Sequence, residues 1–98
     1  MASSVYKKEL VGVLREMAKD QAVFEAFLAD LLTPGEYDEI AKRWQIVKQL
    51  AKETPHRKIA KDLRVGVATI TRGARELLDA EGGFMQALKV CKRKPNIC

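Results

Sequence analysis

A chain of 98 residues with 18 basic and 13 acidic side chains, a net charge of +5 and 47% hydrophobic residues has the size of one domain and an ordinary globular composition. It contains no apolar run near the ~18 residues that a membrane helix needs, and the segment after Met1 lacks the apolar stretch of a signal peptide. A cytoplasmic protein with no membrane partner is expected, and at this size dimerisation is a common remedy for marginal stability.

Helical spacing dominates the chain, with no strand alternation and no hairpin signal. The first helix is expected from about Ser4 to Lys19. Its apolar stripe is Tyr6, Leu10, Val13, Leu14 and Met17, at intervals of three and four. A second helix is expected from about Asp20, a suitable N-cap, to Leu32. Val23, Phe24, Phe27, Leu28, Leu31 and Leu32 give it an apolar face too wide for a single neighbour. Such a face fits burial in a core or a subunit interface. Thr33-Pro34-Gly35-Glu36 then reads as a capping box with proline at the first helical position. The third helix carries Ile40, Trp44, Val47 and Leu50-Ala51 on one face and stops before Thr54-Pro55, where Trp44 is expected in the core.

Thr54-Pro55 repeats the cap-then-proline pattern. A short helix with Ile59, Ala60 and Leu63 facing inward should follow. Arg64-Val65-Gly66 forms a turn in which Gly66 supplies a flexible or positive-φ position. The next helix is expected from Val67 to Asp79, burying Ile70, Ala74, Leu77 and Leu78, until Glu81-Gly82-Gly83 breaks it. Phe84 to Val90 can form a last short helix. Residues 92–98 read as a flexible basic tail. The expected organisation is therefore one all-α domain of about six helices. Residues 4–53 form its dimerisation core and residues 55–78 a helix-turn-helix.

Cys91 and Cys98 both lie in the last eight residues. A disulfide framework spreads its cysteines across a fold, so two reduced thiols in a loose tail are expected. With His56 as the single histidine, no zinc spacing arises. Nor is there a nucleophile–base pair or a Gly-rich phosphate loop, which argues against an enzyme.

Two short helices joined by a glycine-containing turn match the helix-turn-helix pattern. Arg64 stands where many such motifs have the turn glycine. Between Lys42 and Arg75 lie ten basic residues and only two acids, Glu53 and Asp62, so the rest of the chain is net acidic. That asymmetry points to a polyanion-binding face. Arg57, Lys58 and Lys61 on the first motif helix suit phosphate contacts, and Thr69, Thr71 and Arg75 follow on the second. Val67 and Ala68 are small enough to let the N-terminus of the second helix approach base edges in double-stranded DNA. His56 is as consistent with an exposed surface residue as with a phosphate or base contact.

Leu32-Thr33-Pro34, then Arg43, then Ala68-Thr69-Ile70-Thr71-Arg72-Gly73 resembles the tryptophan repressor family. The resemblance runs from about Phe24 to Leu78, with one residue missing relative to the family near Glu53-Thr54. It implies an intertwined helical homodimer, operator DNA as partner, and a corepressor pocket between the core and the second motif helix. By position, Arg72 would hold a ligand carboxylate with help from Thr33, and Arg43 would lie over an indole face. The backbone near Leu32 would accept from the ligand amine, Gly73 would leave room for the ligand, and Val47 would join the pocket.

Glu76 stands where the family has a serine that helps hold the ligand amine. A carboxylate there can grip an ammonium more strongly, or pair with Arg43 or Arg72 and fill the pocket itself. The ligand is thus L-tryptophan, a related indole or amino acid, or none. The main expectation is a corepressor-gated DNA-binding repressor with no permanent cofactor. The alternatives are a ligand-independent DNA-binding regulator or nucleoid-type protein of the same fold, and a helical protein–protein adaptor.

Overall fold

The computed structural model describes residues 2–98, with Ala2 described by its backbone alone. Among the described residues all regular structure is helical. The elements are α1 (Ala2–Met17), α2 (Gln21–Leu31), α3 (Pro34–Ala51), α4 (His56–Leu63), α5 (Val67–Glu76) and α6 (Gly83–Arg93), then a 3-10 turn at Pro95–Ile97. This is the expected all-α, six-helix architecture. The chain divides into two compact units, Met1–Asp38 and Glu39–Cys98, with the boundary inside α3.

In the first unit, α1 packs against α2. Asp20 caps α2 by accepting from the Val23 N–H at 3.2 Å. The capping box at the start of α3 is reciprocal. The Thr33 N–H donates to Glu36 Oε1 at 2.8 Å, and the Glu36 N–H donates to Thr33 Oγ1 at 3.1 Å. These bonds, led by the one from the Thr33 backbone, hold the Glu36 carboxyl below its ordinary pKa. The apolar surface of this unit is only partly covered within one chain. Leu14, Met17, Phe24, Phe27 and Leu28 are half-buried, whereas Val5, Tyr6 and Val11 each stay more than 60% exposed.

The second unit is organised by three isoleucines from three helices. Ile46 of α3, Ile59 of α4 and Ile70 of α5 are at most 1% exposed, and Leu50, Ala60, Leu63 and Val65 pack around them. The expected α3 stripe included Val47, which is fully buried, but missed Ile46. Trp44 is not a core residue. It is half-buried, because α3 turns its Ile46–Leu50 side, one position round from the predicted stripe, toward α5.

The caps around α4 also differ from expectation. α3 ends in a Schellman motif: Glu53 is left-handed at φ 61°, the Thr54 N–H donates to the Gln49 carbonyl, and the Glu53 N–H donates to the Leu50 carbonyl. The Thr54 hydroxyl donates to Gln49 Oε1 at 2.9 Å. It therefore does not cap α4, whose N-cap is Pro55 with no side-chain hydrogen bond. At the other end of α4 the left-handed residue is Arg64, at φ 55° and ψ 49°, while Gly66 has φ −74°. The positive φ thus falls on the motif's usual glycine position, although arginine occupies it. The Val65 N–H donates to the Ala60 carbonyl at 3.1 Å, which closes this turn in the same manner. Replacing Arg64 with glycine should raise stability by up to about 1 kcal/mol, because the left-handed penalty outweighs glycine's extra chain entropy. Thermal unfolding of the two proteins at equal concentration checks it.

α5 stops at Glu76 rather than Asp79. Leu77 remains half-buried, but Leu78 is 85% exposed instead of buried, because the helical register has already been lost. The C-terminus is corrected more strongly. α6 continues to Arg93, and the 3-10 turn folds the chain back. That return brings the Cα atoms of Cys91 and Cys98 to 5.7 Å in a disulfide. The cysteines are therefore not the free thiols of a loose tail. Lys48 Nζ of α3 donates to the main-chain oxygen of Cys98 at 2.7 Å.

Candidate nucleic-acid interface and ligand cleft

α5 is ten residues long and uses three faces. Ile70 and Gly73 are buried, with Ala74 half-buried beside them. An ideal Cβ on Gly73 would lie 3.3 Å from Ile46 Cγ2 and 3.6 Å from Leu50 Cδ1. Glycine at this position therefore lets α5 approach α3 closely. Its absent side chain serves helix packing.

The second face is exposed. Val67, Ala68, Thr71 and Arg75 lie open to solvent at helical spacing. Arg57, Lys58 and Lys61 of α4 are exposed too. Lys58 pairs with Asp62 of the same helix at 3.1 Å, a surface contact that a phosphate can displace at little cost. The Thr71 hydroxyl donates to the Val67 carbonyl at 3.0 Å, one turn back on the same helix. Seven of the eight residues expected to contact DNA thus lie on the solvent side of α4 or α5, Thr69 being the exception. The small Val67 and Ala68 sit at the N-terminus of α5, where a recognition helix meets base edges.

The third face borders a cleft of about 700 Å³ lined by residues of α3, α5, α6 and the turn before α6. α5 contributes Thr69, Arg72, Gly73 and Glu76, spaced by three and four along one side of the helix. α3 contributes Glu39, Arg43 and Trp44, and the far wall is Gly82, Gly83, Phe84 and Ala87. Four of the seven residues expected at a ligand site therefore meet here: Arg43, Arg72, Gly73 and Glu76. Val47 is buried and is absent from the lining. Leu32 and Thr33 belong to the other unit. Thr69, expected on the DNA side, is exposed and also borders the cleft. Its spacing of three from Arg72 was the available signal for that placement. The Glu39–Arg43 spacing of four was likewise legible, whereas nothing in the sequence marked Phe84 or Ala87 as wall residues.

The cleft's charges are arranged unevenly. Arg43 Nη2 pairs with Glu39 Oε1 at 3.2 Å, and both side chains remain substantially exposed. Arg72 and Glu76, one turn apart on α5, have no ion-pair partner among the described residues. A cation and an anion about 6 Å apart along the helix axis, facing Trp44 and Phe84, form a site chemically matched to a zwitterion with an aromatic or apolar body.

Residues 8–92 match the family model for the Trp repressor protein. The chain is 39% identical over 75 residues to a "Trp operon repressor homolog" of Haemophilus influenzae (strain PittEE), covering 76% of this chain and 74% of that protein. It is 38% identical over 84 residues to a protein of the same description from Vibrio parahaemolyticus, covering 85% and 81% respectively. Against another from Mannheimia succiniciproducens the identity is 47% over 60 residues, covering 60% and 59%. No solved structure matches the chain. Among the described residues, no helix is long and apolar enough to cross a membrane.

Proposed function

Because the chain belongs to the Trp repressor protein family, we infer that it is a DNA-binding transcriptional repressor that acts as a homodimer under the control of a small ligand. Its role is regulatory rather than catalytic, and it acts in the cytoplasm, where its operator lies. The first candidate ligand is L-tryptophan, followed by other indoles and aromatic amino acids.

The observation that carries this reading is the division of α5. One face offers Val67, Ala68, Thr71 and Arg75 to solvent, and the adjoining face offers Thr69, Arg72 and Glu76 to the cleft. A ligand that fixes the second face also fixes the angle of the first. Two such heads in a dimer must meet successive major grooves about 34 Å apart. A ligand that favours the matching angle therefore tightens operator binding by population shift. Arg57, Lys58 and Lys61 would hold phosphates and set register, while α5 reads bases. Homodimer formation is supported by the apolar side chains left open on α1 and α2, among them Val5, Tyr6, Val11, Val23 and Leu31, surface that association would cover.

A gel shift on palindromic operator DNA, with and without L-tryptophan, tests the reading. Binding should tighten with ligand. Arg75→Ala should weaken binding and lower the salt slope by about 2, as expected for one lost phosphate contact in each subunit of the dimer. Equal binding in both lanes would favour the ligand-independent regulator.

A further inference from the structure

The Cys91–Cys98 disulfide lies where it can act on the cleft. Cys91 is half-buried on α6, four residues beyond the wall residue Ala87, and so one turn further along the same face. On the opposite wall, Lys48 of α3 stands four residues beyond Trp44 and donates to the main-chain oxygen of Cys98 at 2.7 Å. The returning chain end is thus tied covalently to α6 and by a charged hydrogen bond to α3. It forms a strut across the two helices one turn past the cleft-lining residues. The bridge closes a short loop, seven residues in separation, so beside its constraint on the unfolded chain it holds the end of α6 locally.

From this placement we propose that Cys91 and Cys98 form a redox-controlled clasp that sets the spacing of the α3 and α6 walls and thereby the ligand affinity of the cleft. The inference rests on the reading of that cleft as a ligand site. A small-molecule disulfide of the glutathione type is the oxidant. The exposed Cys98 thiolate attacks it and releases one small thiol, having lost its proton to solvent. The Cys91 thiolate then attacks Cys98 Sγ of the mixed disulfide and releases the second. Two protein thiols are oxidised and one small disulfide is reduced to two thiols, so two electrons and two protons pass between them. A dithiol reductant reverses the exchange. Cys98 is exposed, which leaves the bond open to attack from solution.

The test compares the protein equilibrated with glutathione disulfide and with dithiothreitol, using the Cys91→Ser/Cys98→Ser double variant as a form fixed open. Hydrogen exchange of the α6 amides reads the clasp without any ligand, and calorimetry with L-tryptophan reads the cleft. The oxidised form should protect α6 and bind at least about fivefold tighter, the low end of ordinary coupling between sites. The reduced protein should match the double variant, and Lys48→Met should loosen the oxidised form part of the way toward it. Two free thiols after oxidation, or equal exchange and equal affinity in both states, would overturn the clasp. Slower exchange on oxidation with no heat from L-tryptophan in either state would uphold the clasp and defeat the ligand reading separately.

Discussion

Replacing Ile70 with alanine is expected to lower the unfolding free energy by about 2–5 kcal/mol, the range for truncating a fully buried isoleucine. Ile70 is 0% exposed and touches a core whose other fully buried members are Ile46 and Ile59. Each comes from a different helix, so the cavity opens at the one point where α3, α4 and α5 meet. Few neighbours can relax into it. The loss is also a large fraction of the stability that a domain of this size commands. Urea or thermal unfolding followed by circular dichroism measures it. Both proteins must be at one chain concentration, because association adds to apparent stability. Ile59→Val, which removes one methyl group from the same cluster, should cost only about 0.5–1.5 kcal/mol. A loss below 1 kcal/mol for Ile70→Ala would mean that this cluster does not hold the head together.

The second large effect concerns Arg72. Arg72→Ala should weaken L-tryptophan binding by about 1.5–3 kcal/mol, or roughly 10- to 150-fold, because a ligand carboxylate would lose a charged hydrogen-bond partner. Ligand-free DNA binding should fall much less, since Arg72, although exposed, borders the cleft and lies off the Val67–Ala68–Thr71–Arg75 face. Calorimetry separates the two effects. Glu76→Gln then decides what the carboxylate does. If it grips an ammonium, affinity falls; if it competes with the ligand for Arg72 or Arg43, affinity rises. A fall is expected, because Glu76 forms no ion pair with either arginine.

Local signals in the sequence located most of the fold. The Thr33–Glu36 capping box is present bond for bond, and the proline and glycine punctuation places α3 to α6 to within a few residues. Local chemistry decided those features, so local reading found them. Long-range packing was harder to read. A helix with neighbours on more than one side does not bury a single stripe, which is how Ile46 was missed and Trp44 was assigned to the core. Arg64 shows tertiary context overriding propensity. The turn keeps its left-handed geometry without glycine because the Val65 N–H bonds to the Ala60 carbonyl and Val65 packs on the core. The Cys91–Cys98 pairing depends on a chain reversal at Pro95–Ile97 that no spacing rule foretells. At the candidate site, Arg43, Arg72, Gly73 and Glu76 were named through the family resemblance, and α3 and α5 bring them to one cleft. The wall from Gly82 to Ala87 was not legible, because it comes from an element whose placement only the folded chain defines.

The three-faced α5 has a consequence for how such a protein can diversify. It has no idle side, so most substitutions along it would disturb packing, reading or sensing together. The two outward tasks are nevertheless graded along its length. Val67 and Ala68 open the helix and Glu76 closes it, about 13 Å apart at the rise of an α-helix. A change in the last turn can therefore retune what the protein responds to while leaving the residues nearest the bases untouched. If the proposed division of tasks holds, the signal can drift while the address stays the same, and Glu76 in that last turn is where such a change would act.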